Sequence, residues 1–105
     1  MVDLIKKHIK EVVNETWNNA NRCEDVKDEI MNAALGLAGE AGEVVDVLKK
    51  MFYHRPKNRR DELMVEMGDV YYYMGKLQDL FGFTTEEILE ANKVKLFERY
   101  EVEGK

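Results

Sequence analysis

The spacing of apolar residues along the chain predicts four helices, because apolar side chains recur every three or four positions. The helices span approximately residues 3–19, 26–53, 61–81 and 84–100. The last one begins with a capping-box pattern, in which Thr84 and Glu87 each satisfy the other's backbone amide. The connections are short, so the expected fold is all-α, with four antiparallel helices packed as a bundle.

Two segments affect where these helices lie. Residues 70–73, Val-Tyr-Tyr-Tyr, have the propensity of a strand. They lie inside about twenty residues of regular helical spacing, so the period favours a helix there. The second helix is expected to end in the loop of residues 54–58, which contains Pro56, the only proline of the chain.

Carboxylates interrupt the apolar faces of the second and third helices. Glu40 lies in the middle of the face of the second helix, and Glu43 lies near its edge. In the third helix, 26 residues further on, Glu66 and Asp69 repeat this arrangement. The apolar residues of the two faces are Ile30, Leu37, Ala41, Val44, Leu48 and Met51 in the second helix and Leu63, Met67, Val70, Met74 and Leu77 in the third.

A charged carboxylate on an apolar face costs several kcal/mol unless something compensates its charge. Two antiparallel helices would bring the four acids together, where they would also repel one another. Protonation, pairing with a buried lysine or arginine, or binding of a divalent cation would each relieve this cost. An all-oxygen ligand set suits Mg²⁺ or Mn²⁺, and residues three apart on a helix share a face. The pattern therefore favours a divalent metal site, and structural or solvated acids are the alternative.

Composition and charge narrow the possibilities further. A chain of 105 residues, of which 45% are hydrophobic, is expected to form a single domain, residues 1–105. The net charge of −5 argues against a general nucleic-acid binder. One cysteine, Cys23, excludes an internal disulfide and a cysteine-based zinc site. The sequence shows no signal-peptide pattern and no apolar run near the ~20 residues that span a bilayer, so we expect a cytoplasmic protein without a membrane partner.

Three segments of the chain resemble the MazG-like, all-α nucleoside triphosphate pyrophosphohydrolases. They are LGLAGEAGEVVD at residues 35–46, followed by Lys49 and Lys50; EMGDV at residues 66–70, followed by Tyr73; and ANKVKLFERY at residues 91–100. Together they cover roughly residues 30–100. The two carboxylate motifs are weak evidence alone, but in combination with the third segment they are fairly specific.

The resemblance implies a Mg²⁺-dependent enzyme, and the all-oxygen ligand set would also accept Mn²⁺. It would cleave ribo- or deoxyribonucleoside triphosphates to the monophosphate and pyrophosphate, as a house-cleaning activity on the nucleotide pool. By matching positions, Glu40, Glu43, Glu66 and Asp69 would be the metal ligands. A carboxylate not fully committed to the metal would activate the attacking water, and Glu40 or Glu43 is favoured for this role. Gly39 departs from family members with a second Glu at that position, which leaves the arrangement of the base open.

Polar residues elsewhere on the helices are candidates for contacts with the substrate. Two lysines each lie seven residues, or about 10 Å, beyond an acid of their own helix. Three residues of the fourth helix share one stripe and agree with the third family motif. These candidates for phosphate and sugar contacts are Lys50 and Lys76, and Asn92, Lys95 and Arg99 on the fourth helix.

Aromatic residues are candidates for stacking on the base of a nucleotide. Tyr73 has the best position, because it shares a helix face with Glu66 and lies one turn after Asp69. Trp17 is expected to pack in the core instead, as aromatic residues at helical spacing usually do.

The wide apolar faces leave exposed apolar surface on a chain of this size and favour self-association. The resemblance implies the same, a homodimer or homotetramer with sites near subunit interfaces. Two other functions remain open. One is a non-enzymatic helical module for oligomerisation or partner binding, although such a module has no reason to bury four acids. The other is a dUTP or phosphoribosyl-ATP hydrolase of the same fold, which shares the carboxylates.

Overall fold

The computed structural model describes residues 3–54 and 58–103, which form helices and short connections. The all-α class is confirmed, and each of the four expected helices is present with its ends within one residue of the prediction. We label them α1 (residues 4–20), α2 (Val26–Tyr53), α3 (Arg60–Phe81) and α4 (Thr85–Arg99). Residues 55–57 of the expected loop between α2 and α3 lie outside the described residues.

Local capping interactions explain where three of the helices begin or end. The side chain of Asp25 accepts a hydrogen bond of 2.8 Å from the backbone amide of Asp28 at the start of α2. Gly82 ends α3 in the left-handed conformation, with φ of 70°, which favours glycine. At α4 the expected capping box is confirmed: Thr84 accepts from the amide of Glu87, and Glu87 accepts from the amide of Thr84.

Helix α1 contains a π-helical turn that the apolar spacing did not predict. The segments Leu4–His8 and Asn14–Ala20 are α-helical, whereas Ile9–Val13 forms the wider π turn between them. The buried residues of α1 are Ile9, Val13 and Trp17, four residues apart. A turn wider than that of an α-helix keeps side chains at this spacing on one face.

Helices α2 and α3 pack against each other as an antiparallel pair, and α1 lies against α3. At Gly75 of α3 the contact with α1 is close, since a Cβ there would lie 3.1 Å from Cγ1 of Ile9. The contact between α2 and α3 forms a seam of buried and half-buried residues that recur every three or four positions. The seam contains Ala33, Leu37, Glu40, Val44, Val47 and Met51 on α2 and Leu63, Glu66, Val70, Tyr73, Leu77 and Leu80 on α3.

Helix α4 makes few contacts with the other three helices. The radius of gyration is 16.5 Å, compared with about 13 Å for a compact domain of this length. Many large apolar side chains are exposed, including Leu89 and Val94 on α4. The exposed apolar surface expected from the sequence is therefore present, and completion of the bundle by a second copy stays a prediction. Among the described residues, no helix has the length and hydrophobicity needed to cross a membrane.

Candidate metal centre

Three of the four predicted ligands converge between α2 and α3. Glu40 of α2 and Glu66 of α3 both lie in the seam, and Asp69 follows Glu66 by three residues on the same side of α3. One carboxylate oxygen from each of the three lies within 4.8 Å of the others. The antiparallel packing of two amphipathic helices, each with an acid in its apolar face, produces this arrangement.

The electrostatics of this acid cluster (Glu40, Glu66 and Asp69) are those of a site with uncompensated negative charge. Partial burial raises the pKa of Glu40, and so do the nearby charges of Asp69, Glu66 and Glu43. The ion pairs within residues 3–54 and 58–103 do not involve the cluster. Pairing with lysine or arginine thus does not compensate these acids within the described chain. Three converging carboxylates are a donor set that fits Mg²⁺ or Mn²⁺.

Glu43 lies outside the cluster. Its side chain is exposed, although it is close enough for its charge to raise the pKa of Glu40. The sequence placed Glu43 near the edge of the apolar face, and in the structure it lies at that edge, exposed. The structure therefore brings together three predicted ligands and leaves the fourth at the rim.

The two lysines proposed for phosphate contacts have other partners in the described chain. Lys50 is exposed, and its Nζ lies 2.9 Å from a carboxylate oxygen of Asp46. This pair raises the pKa of Lys50 and lowers that of Asp46. Lys76 is only 7% exposed, with its Nζ 5.0 Å from the ring centroid of Trp17 and 3.9 Å from Oε1 of Glu29. Contact of either lysine with a substrate stays a prediction.

Tyr73 lies beside the acid cluster and is half-buried. Burial raises the pKa of its phenol, as do the charges of Glu40 and Asp69. Its ring packs edge-to-face against Trp17 and Tyr72, with centroid separations of 6.2 Å and 5.1 Å. Trp17 is 1% exposed, so it packs in the core as expected and offers no face to a base.

The predicted contact residues of α4 lie on a helix that makes few contacts with α2 and α3. Asn92, Lys95 and Arg99 are all exposed. Lys95 and Arg99 line a hollow formed by residues between Thr84 and Arg99, and α2 and α3 contribute nothing to it. The hollow that these cations line is thus distinct from the acid cluster.

Comparison with known protein families identifies the family of this chain. Residues 27–102 match the family model of the MazG nucleotide pyrophosphohydrolase domain. The chain belongs to the MazG family. The matched residues of this MazG domain contain Glu40, Glu43, Glu66 and Asp69 together with α3 and α4, whereas α1 precedes them.

One curated protein with a significant similarity is the Gene 37 protein of Mycobacterium phage L5. It is 29% identical over 87 residues, which correspond to 79% of this chain and 75% of the phage protein. No solved structure matches the chain at a comparable level.

Sequence reasoning missed two residues that pack directly against predicted site residues of the MazG domain. Glu29 of α2 lies beside Lys76, and Gly36 of α2 lies under the ring of Tyr73. The antiparallel register of α2 and α3 would have predicted both contacts. Once Glu40 is placed opposite Glu66 and Asp69, positions earlier in α2 must face positions later in α3.

Proposed function

We propose that this protein hydrolyses nucleoside triphosphates to the monophosphate and pyrophosphate with the help of a divalent cation, Mg²⁺ or Mn²⁺. The observation that carries the proposal is the convergence of oxygens from Glu40, Glu66 and Asp69 within 4.8 Å of one another. Membership of the MazG family supports it, because the family is described by nucleotide pyrophosphohydrolase activity. Removal of damaged or surplus nucleotides from the cellular pool is the role that such a reaction would serve.

The three clustered carboxylates are the residues that would hold the cation. When bound, it would offset the charge of the carboxylates and of the phosphate oxygens and stabilise the leaving pyrophosphate. By fixing the position of the cation, the carboxylates would also orient the polyphosphate that binds to it. Their rigid placement on two packed helices favours such positioning.

The water that attacks phosphorus needs a group to orient it and accept its proton. The sequence left both Glu40 and Glu43 as candidates for this base. Glu43 is favoured for this role, because it is exposed and is not among the three acids whose oxygens converge. Its charge helps to raise the pKa of Glu40, so it lies in the neighbourhood of the cluster.

The cations of α4 would complete the site only in an assembly. Lys95 and Arg99 face a hollow made by α4 alone, and α4 is scarcely packed against its own chain. A homodimer or homotetramer in which α4 covers the α2–α3 pair of another copy would supply positive charge to the acids and bury the apolar side chains of α4. This is the assembly that we propose.

The proposal is tested by pyrophosphate release from ribo- and deoxyribonucleoside triphosphates, using the variants Glu40→Gln and Asp46→Asn. Loss of a clustered carboxylate should lower the rate by at least about 100-fold. Asp46 lies on the same helix but pairs with Lys50 outside the cluster, so Asp46→Asn is the matched control for loss of a carboxylate and should lower the rate far less than Glu40→Gln does. Full activity of a folded Glu40→Gln variant would contradict the assignment of the site.

A substrate panel extended to phosphoribosyl-ATP also separates the remaining alternatives. Preference for dUTP or for phosphoribosyl-ATP would place the protein among hydrolases of the same fold with those substrates. A non-enzymatic module would release no pyrophosphate from any of them and would bind no divalent cation at the cluster.

A further inference from the structure

Tyr73 occupies space that is open only because the facing residue of α2 is a glycine. Its ring lies directly against Gly36, and a Cβ at position 36 would lie 2.6 Å from Cζ of Tyr73. That separation is far inside van der Waals contact, so any side chain at position 36 would displace the ring or part the helices. The spacing between α2 and α3 at Gly36 therefore depends on the ring of Tyr73 packing directly against the backbone of α2.

This contact lies one helical turn from the acid cluster on both helices. Gly36 precedes Glu40 by four residues, and Tyr73 follows Asp69 by four residues. Residues four apart are neighbours on a helix surface. Because α2 and α3 are antiparallel, the contact of Gly36 with Tyr73 and the approach of Glu40 to Asp69 form adjacent layers of one interface. A change of helix spacing in the first layer therefore moves the carboxylates in the second.

Helix α1 also packs against the ring of Tyr73. Trp17 is buried and packs edge-to-face on Tyr73, with ring centroids 6.2 Å apart. Tyr72, whose ring is 5.1 Å from that of Tyr73, has its hydroxyl 2.7 Å from Oγ1 of Thr16. The ring of Tyr73 is thus enclosed by α1, by its own helix and by the backbone of α2, and close packing of this kind fixes a rotamer.

We propose that Tyr73 is a positioning residue, a spacer between α2 and α3 that sets the separation of Glu40 from Glu66 and Asp69. The inference rests on the proposed function, since it takes the acid cluster to bind a divalent cation. It extends that function to α1, which precedes the residues matched by the MazG family model but supports the spacer through Trp17. Ligand geometry must hold within about 0.5 Å for productive binding, so a small change of spacing is enough to matter.

Binding of Mn²⁺ alone, followed by electron paramagnetic resonance, tests the spacer without any substrate. Gly36→Ala should weaken Mn²⁺ binding at least about tenfold, the loss typical when groups supporting metal ligands are disturbed. Gly39→Ala is the matched control, because it lies on the same helix and a Cβ there meets nothing within 4 Å. Both changes add the same helix propensity, about 1 kcal/mol, so a difference between them reports the contact with Tyr73.

Two further variants address the ring itself and remain informative if Gly36→Ala does not fold. Tyr73→Phe keeps the ring and should bind Mn²⁺ as the wild type does. Tyr73→Leu removes the ring and should bind more weakly, while circular dichroism reports an unchanged helix content. A role confined to general stability would change the melting temperature of these variants and leave the Mn²⁺ affinity of the folded protein unaltered.

The outcomes separate the spacer from the function on which it rests. If the wild type fails to bind Mn²⁺, the proposed metal site is wrong, and the positioning role of Tyr73 that depends on it is wrong too. If the wild type binds and the Gly36→Ala and Tyr73→Leu variants bind equally well, the spacer is wrong and the metal site stands. Equal losses in Gly36→Ala and Gly39→Ala would also overturn the spacer.

Discussion

Glu40 occupies a seam position whose neighbours on α2, Leu37 and Val44, are apolar. Partial burial and three nearby acids raise the pKa of its carboxyl. In the metal-free protein its charge therefore opposes folding, and the cost grows as the pH rises from the ordinary value of 4.5 through the raised pKa of the folded state. Below that window the carboxyl is protonated in both states and costs nothing.

Replacement of Glu40 by Gln should consequently stabilise the metal-free protein at neutral pH. We expect a higher melting temperature for Glu40→Gln than for the wild type at pH 7 in EDTA, and no difference near pH 4. Thermal unfolding followed by circular dichroism measures both.

Asp46→Asn again provides the control, with the opposite sign. The pKa of Asp46 is lowered by its hydrogen bond and ion pair with Lys50. Its charge therefore favours folding above its ordinary pKa, and this contribution is lost as the pH falls through the lowered value. Asp46→Asn should leave the melting temperature at pH 7 unchanged or slightly lower. A melting temperature of Glu40→Gln at or below that of the wild type at pH 7 would contradict the uncompensated cluster.

Single residues also show what the sequence could predict about the site. Glu40, Glu66 and Asp69 were predictable because an acid in an apolar stripe must face the partner helix. Glu43 satisfied the same spacing rule but lies at the exposed edge, since spacing gives a face and not its depth. The burial of Lys76 against Trp17 could not be predicted from the spacing of α3, because α1 supplies the cover.

At the scale of the elements, α4 depends more on its own local interactions than the other helices do. It makes few tertiary contacts, so its capping box supplies a large part of the stability of the helix. The hydrogen bonds from the amides of Thr84 and Glu87, 2.8 Å and 3.0 Å long, satisfy two donors that the helix cannot.

Removal of this cap should unwind the start of α4. Thr84→Ala should cost about 0.5–2 kcal/mol of helix stability and lower the helical signal at 222 nm in circular dichroism. Thr84→Ser keeps the hydroxyl and should behave as the wild type. Equal helix content in all three proteins would mean that packing, and not the cap, holds α4.

The bounds of the helices were predictable where the chain carries a local signal. Gly82 stops α3, and Thr84 starts α4. Residues 70–73 form helix despite their strand propensity, because the seam contact with α2 outweighs the local preference. The π turn at Ile9–Val13 had no such signal; its buried residues pack close to Gly75 of α3, a contact that the sequence of α1 alone does not reveal.

At the scale of the whole molecule, the described chain leaves much of its apolar surface uncovered. Leu35, Phe52, Met64 and Leu89 are each more than 60% exposed, and they belong to three different helices. Burial of apolar area at about 25 cal/mol per Å² is the main source of association energy. The exposed apolar side chains therefore favour the proposed assembly, in which α4 covers another copy.

Light scattering coupled to size exclusion tests this assembly. For the proposed homodimer or homotetramer we expect a mass of two or four times the chain mass of 12.3 kDa. Leu89→Glu, which places a charge on the exposed apolar side of α4, should shift the population toward the monomer. Glu90→Gln on the same helix is the control and should not. A wild-type protein that is strictly monomeric at micromolar concentration would contradict the assembly.

The proposed function requires that the acid cluster support metal-dependent cleavage of a nucleoside triphosphate to the monophosphate and pyrophosphate. Identification of the products by ³¹P nuclear magnetic resonance would establish whether this reaction occurs. A panel of ribo-, deoxyribo- and modified triphosphates would be incubated with the wild-type protein and Mg²⁺, and again with EDTA. We expect monophosphate and pyrophosphate from at least one substrate, with no reaction in EDTA. No products from any substrate, with protein shown to be folded and assembled, or release of single phosphate groups instead, would contradict it.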